Sequence, residues 1–269
     1  MSLIRLLAEN GTITNGSIHF EGKDVLGLSN KEMFKFRGKD IGMIFQNPLD
    51  SLNPVMMVGE QVSESLILDK ISKEEAWKKV VELFEDVRIP DAKQRAESYP
   101  FELSGGMRQR VMISMMISRK PKLLIADEPT TALDVTIQAQ ILKIIKKLRD
   151  DFNLSILLIT HNFGVVAEIA DRVGVMYAGN LVELGDVYDI FEKPLHPYTR
   201  LLMKALPTIS KKQGRLETIP GMVPNLINPP EGCRFENRCP KKIEKCKKIK
   251  PKLKKYQEGH YYNCHLEMS

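Results

Sequence analysis

Three apolar runs in this chain end in the same way, and that repetition restricts the fold more than any other feature. "DIGMIFQNP" (40–48) closes on Gln46, "LLIADEPTTALD" (123–134) breaks at Asp127 and Glu128, and "LSILLITH" (154–161) closes on His161. Short continuous apolar runs bounded by turns read as buried strands. Between them, 57–118 reads as helical with polar connections at 88–93 and 99–104, and 136–150 as a further helix. Strands alternating with helices predict an α/β domain with a mainly parallel sheet covered on both faces. Polar groups at the carboxyl ends of neighbouring parallel strands converge where such sheets bind ligands.

Around this centre the pattern is local and weaker. Residues 1–9 read as the tail of an amphipathic helix with no N-cap, and 16–25 as a strand that turns at Gly22. Ser29 and Glu32 form a capping box that opens a polar helix near 29–37. "FGVVAEIA" (163–170) reads as a short helix, and "RVGVMYAGNLVELG" (172–185) as a hairpin turned at Gly179-Asn180. After Pro207 the composition shifts to Pro and Lys, which places a boundary near 208 and divides the chain into 1–207 and 208–269. No apolar stretch approaches the roughly 18–20 residues of a membrane span. The opening "MSLIRLLAEN" is too short and too soon acidic for a signal peptide, so a cytosolic chain is expected. Nine Lys and one Glu fall in 241–255, while the whole chain carries only +6. The remainder is near neutral, which argues against a general nucleic-acid-binding surface.

The chemistry concentrates in two motifs. In "ELSGGMRQRV" (102–111), Ser104 and two glycines open a helix. Unpaired N–H groups and the helix dipole at such a start suit an anion such as phosphate. Sixteen residues past Met107 the chain reads "LLIADEPTTALD", a strand that ends on Asp127 and Glu128; one acid there suits Mg²⁺ and the other a positioned water. In this order the set closely resembles an ABC-type ATPase. The resemblance implies that Gln46 touches Mg²⁺ and senses the transporter, and that Ser104, Gly105 and Gly106 contact the γ-phosphate of a nucleotide held by the other subunit. It further implies Asp127 beside Mg²⁺, Glu128 as general base, Asp134 at the dimer seam and His161 on the γ-phosphate. The fold it implies is an ABC nucleotide-binding domain with a helical subdomain near 57–118 and a small Cys-bearing C-terminal lobe.

"RGKDIGMIFQNPLDSLNPVMMVGEQ" (37–61), "HPYTRLLMKALP" (196–207) and "IPGMVPNLINPPEGCRFENRCP" (219–240) resemble the ATPase subunits of oligopeptide, dipeptide and nickel importers. That branch implies ATP and Mg²⁺ as cofactors, a second ABC ATPase subunit and transmembrane permease subunits as partners, and a solute-binding protein as an indirect one. It places the chain on the cytoplasmic face of the membrane. Cys233, Cys239, Cys246 and Cys264 follow the spacing C-x5-C-x6-C-x17-C, which is no C-x2-C zinc pair. By resemblance they would carry a four-iron, four-sulfur cluster; a zinc site or reduced thiols packing a small lobe stay open.

One part of an ABC ATPase is missing from the sequence. No Gly-x4-Gly-Lys-Ser/Thr occurs, and "EGKD" (21–24) and "RGKD" (37–40) lack both the glycine spacing and the hydroxyl. The expectation is a chain truncated, or started too late, just after that loop. A half-site subunit that lends its signature to a partner ATPase is the alternative, and a soluble ABC protein acting on nucleic acid is a third.

Overall fold

In the computed structural model, which describes residues 1–46, 51–131, 133–206 and 218–267, the three apolar runs pair side by side. Strands β3 (Ile41–Ile44), β4 (Leu123–Asp127) and β5 (Ser155–Ile159) form a parallel sheet in that order. Successive side chains point to opposite faces, and both faces of β3 and β4 are covered. Ile44, Leu124 and Ala126 enter a core with Val62, Phe84 and Ile145, whereas Ile41, Met43 and Ile125 enter another with Val25, Met33 and Phe36. Beyond β5 no strand is paired among the described residues, and Leu157 and Ile159 are exposed.

The helical stretch resolves into α2 (Val58–Ile67), α3 (Lys73–Asp86), α4 (Ala92–Ala96) and α5 (Gly105–Ile117), and α6 (Val135–Phe152) follows β4. Phe84, Val111, Ile113 and Leu148 are wholly or almost wholly buried; each such side chain is worth about 1.5–3 kcal/mol relative to exposure. Before β3, the capping box is present. Ser29 Oγ accepts from the Glu32 N–H, and Glu32 accepts from the Ser29 N–H, opening α1 (Asn30–Lys39). The short hairpin β1 (His19–Phe20) and β2 (Lys23–Asp24) turns at Glu21-Gly22, both with positive φ. Residues 1–9 depart from the helix expected of them. Only Ser2–Ile4 turn, as a 3₁₀ helix that stops at a left-handed Arg5. Arg37 donates to the carbonyls of Ile4 at 2.7 Å and Arg5 at 2.8 Å, so tertiary contacts take the groups that a helix would use.

The chain separates into two compact units, Met1–His161 and Asn162–Ser269. The second is antiparallel and contains the hairpin read at 172–185, so the mainly parallel sheet expected is that of β3, β4 and β5. Its helices are α7 (Phe163–Ile169), α8 (Val187–Glu192), α9 (Pro197–Ala205) and α10 (Lys245–Lys248). Strands β6 (Arg172–Tyr177), β7 (Asn180–Asp186), β8 (Lys254–Gln257) and β9 (His260–Tyr262) lie in the order β6-β7-β9-β8. The β6–β7 turn is made by Ala178 (φ 47°) and Gly179 (φ 77°), one residue earlier than the sequence suggested. The tail therefore completes a sheet begun before it. The boundary placed near 208 lies outside the described residues.

One buried group ties these elements together. Glu183, with no exposed surface, accepts from the N–H groups of Leu195 (2.7 Å) and His196 (2.9 Å) and lies 2.9 Å from His260 Nε2. A buried carboxylate is tolerable only when its oxygens are satisfied in this way. His196 in turn caps α9, its Nδ1 accepting from the Tyr198 N–H at 3.0 Å.

Candidate active site

Glu128 is the centre of the site. It follows β4 directly and takes a left-handed backbone (φ 45°), rare for a residue with a Cβ. Its N–H donates to Ile159 at 2.8 Å, continuing the β4–β5 pairing for one more residue. The twist aims the carboxylate at groups from neighbouring strand ends. Gln46 Nε2, just past β3, donates to Oε2 at 2.8 Å, and the Thr131 hydroxyl donates to the same oxygen at 2.9 Å. His161 Nδ1, just past β5, lies 2.7 Å from Oε1. The His161 ring, then the Thr131 hydroxyl, hold the Glu128 carboxyl below the usual carboxylate range. A carboxylate so held is ionised at neutral pH and well oriented, though weakened as a base.

The carboxylate of Asp127, the last residue of β4, has no hydrogen bond or ion pair among the described residues. With Gln46 it lines an open cavity of about 590 Å³ whose other walls include Met43, Phe45, Met112 and Met116. A hard cation takes oxygen ligands, and a free carboxylate beside an amide oxygen fits part of such a set.

The signature residues lie elsewhere in this unit. Ser104 caps α5, its Oγ accepting from the Met107 N–H at 3.3 Å. Gly106 permits a close approach of helices, because a Cβ there would meet Ile137 Cγ2 at 2.8 Å, while Gly105 has room. Asp134 caps α6 by accepting from the Ile137 N–H at 2.9 Å. Among the described residues neither Ser104 nor Asp134 reaches the Glu128 group. Two residues were not singled out from the sequence. Thr131 was hidden in a run of turn formers. Gln109, almost fully buried, donates its amide to the Pro129 carbonyl at 2.7 Å and ties α5 to the turn that carries Glu128.

The four tail cysteines are all free thiols, Cys246 and Cys264 buried and Cys233 and Cys239 half-buried. They converge enough for each other's charge to be felt, and the Cys233 N–H donates to the Cys246 carbonyl at 2.8 Å. Burial pushes the Cys233 thiol up to about 11 and raises Cys239 and Cys264 as well. Metal ligation needs thiolates, and among the described residues no group of three or more His, Cys, Asp or Glu is placed to hold a metal ion. As arranged, the cysteines do not form the ligand set that an iron–sulfur cluster requires.

Comparison with known proteins agrees with the geometry. Residues 2–131 match the ABC transporter family model, and residues 182–246 match that of the oligopeptide/dipeptide transporter C-terminal region. The oligopeptide transport ATP-binding protein OppD of Haemophilus influenzae is 50% identical over 98% of this chain and 82% of its own length. AppD of Bacillus subtilis, also an oligopeptide transport ATP-binding protein, is 50% identical over 96% of this chain and 79% of its own. Among solved structures, cbiO1 from Clostridium perfringens, part of the ABC transporter complex cbiONQ, superposes with a TM-score of 0.62 at 28% identity, covering 72% of this chain and 73% of that one. The ATP-binding cassette MJ0796, solved as a dimer bound to ADP and Pi, superposes with a TM-score of 0.58 at 27% identity over 65% of this chain and 74% of that one.

Proposed function

The chain belongs to the oligopeptide transport ATP-binding proteins of the ABC transporter family, and from that premise we propose how its residues would drive peptide import. Mg-ATP, when bound, supplies the phosphate that is transferred to water. Glu128 would orient that water and take its proton, which fits its position between β4 and β5. Gln46, released from Glu128, would with Asp127 hold the Mg²⁺ that accompanies ATP, and so report occupancy towards the permease. His161 would meet charge developing on the transferred group. Ser104, Gly105 and Gly106, at the start of a helix of thirteen residues, would contact a nucleotide held by a second ATPase subunit, with Asp134 at the seam. Functionally, 1–207 would be the motor and 208–269 an extension of it. The permease subunits would hold the chain at the cytoplasmic membrane face, with a solute-binding protein acting indirectly and no nucleic acid involved.

The observation that carries this reading is the gathering of Gln46, Glu128 and His161 from three neighbouring strand ends. A second reading has its own support. No Gly-x4-Gly-Lys-Ser/Thr lies within these 269 residues, so the phosphates would be cradled by groups other than these. The chain would then serve a partner ATPase through Ser104 and Gly106 alone. One experiment separates the two. In proteoliposomes holding permease and both ATPase subunits, Glu128→Gln and Ser104→Ala should each reduce peptide-stimulated ATP hydrolysis if the chain is a full motor. Loss with Ser104→Ala and none with Glu128→Gln selects the half-site.

A four-iron, four-sulfur cluster on Cys233, Cys239, Cys246 and Cys264 stays a proposal for the assembled protein, since it requires the thiols to draw together and ionise. Four iron and four acid-labile sulfide per chain, after anaerobic purification, would support it; neither metal nor sulfide would leave reduced thiols packing the lobe.

A further inference from the structure

The second unit carries a surface that the ATPase chemistry does not use. In the segment Met222–Ile227, Met222 is 84% and Ile227 85% exposed, with Val223 and Leu226 also exposed. The segment is pinned at its start: Asn237 Nδ2 donates to the Met222 carbonyl at 3.1 Å, and Arg238 donates to those of Pro220 (2.9 Å) and Ile219 (2.7 Å) just before it. On the same short turn, Glu236 pairs with Lys242 at 3.2 Å. The lysine run starts there. Lys241, Lys245, Lys248, Lys250 and Lys252 are all exposed and have no ion pair among the described residues. Ile249, 51% exposed, stands between them, and Leu253, 49% exposed, follows directly.

A solvated lysine face has no need of large aliphatic side chains held open to water beside it, and clustered exposed apolar groups ringed by charge mark a contact surface. We propose that this surface of the C-terminal lobe binds the anionic lipid headgroups of a bilayer, the lysines meeting phosphates and Met222, Ile227, Ile249 and Leu253 entering the headgroup layer. Both halves of the chemistry are those of a peripheral membrane contact, in which basic residues supply attraction and aliphatic ones supply burial. Nucleic acid would satisfy the lysines alone, since bases stack on aromatic rings and residues 241–255 hold no aromatic side chain. The inference rests on the membrane-face reading for its biological setting, but the contact itself requires neither nucleotide nor permease.

The test uses the purified 269-residue chain and lipid vesicles with no other protein. It should sediment with vesicles containing one third phosphatidylglycerol and not with pure phosphatidylcholine, and 1 M salt should release most of it, because the screening length falls from about 8 Å to about 3 Å. Changing Lys241, Lys245, Lys248, Lys250 and Lys252 together to Gln should weaken binding by on the order of a hundredfold or more, each lysine at an anionic surface being worth about fivefold. An Ile227→Trp variant, which keeps every lysine, should gain a blue-shifted emission quenched by brominated lipid. No binding to anionic vesicles, binding unchanged by the five substitutions in a normally melting protein, or an Ile227→Trp signal indifferent to lipid would each overturn the proposal. So would tighter binding to duplex DNA than to vesicles at equal phosphate. None of these outcomes touches the hydrolysis assay above, so the importer reading stands or falls separately.

Discussion

The buried amide of Gln109 donates to the Pro129 carbonyl at 2.7 Å, so the helix that Ser104 opens and the turn that carries Glu128 are fastened to each other within one chain. Gln109→Leu keeps most of the volume and leaves that carbonyl without its donor. A buried acceptor so abandoned costs about 1–3 kcal/mol. Urea unfolding should show that loss, and a variant as stable as the parent would mean that the bond contributes nothing.

The His161 ring is the largest influence holding the Glu128 carboxyl low. A group whose folded pKa is depressed contributes stability that is present above its ordinary range and fades as pH falls through the lowered value. Both side chains reach solvent, so the measurable quantity is the titration itself. In His161→Ala, the carbon-13 midpoint of Glu128 should rise towards an ordinary glutamate; an unmoved midpoint would assign the shift to Thr131 and Gln46.

Burial pushes His196 down to about 4, and its Nδ1 must stay unprotonated to accept from the Tyr198 N–H. The unfolded chain binds that proton near 6.5. Between about 6.5 and 4 the unfolded state therefore holds more protons, and the second unit should lose stability as pH falls, by about 3 kcal/mol at most. His196→Asn, which retains a capping oxygen, should flatten that slope in thermal unfolding at pH 7, 6 and 5.

Gly106→Ala places a methyl carbon 2.8 Å from Ile137 Cγ2. Overpacking of this kind costs about 1–3 kcal/mol. Adding Ile137→Ala should return part of the loss. A double variant no better than the single one would show that the glycine is needed for something other than space.

Glu183→Ala would leave two backbone N–H groups and the His260 ring buried without their acceptor. Breaking a buried charged network by one partner is worth about 3–5 kcal/mol. Calorimetry should show the transition of the second unit falling well below that of the parent; equal transitions would mean that the N–H groups find other partners.

What could be read in advance was local. The strands β3, β4 and β5 announce themselves because continuous apolar runs have few alternatives, and the helix after Ser29 because its cap lies within four residues. The convergence of Gln46, Glu128 and His161 followed from strand ends alone. The opening segment was misread because Arg37, more than thirty positions away, takes the carbonyls of Ile4 and Arg5. The β6–β7 hairpin was legible, but its union with β9 and β8 was missed for the same reason, since nothing near Glu183 hints that Tyr262 will pair with it. Thr131 and Gln109 bond to the Glu128 turn, and only the fold says where that turn lies.

Glu183 and His260 stand 77 positions apart, which sets an order of events as the chain folds. Closing a loop of that length costs about 4 kcal/mol in chain entropy before any contact repays it. The β6–β7 and β8–β9 hairpins, each closed over a short turn, can form in microseconds, and their union must wait for the longer search. The buried pair is then among the last contacts made on the way in. Weakening it should leave the folding rate nearly unchanged and quicken the unfolding of the second unit. The histidine near the end of the chain acts as a brake on opening, and the durability of the tail is a matter of time as much as of equilibrium.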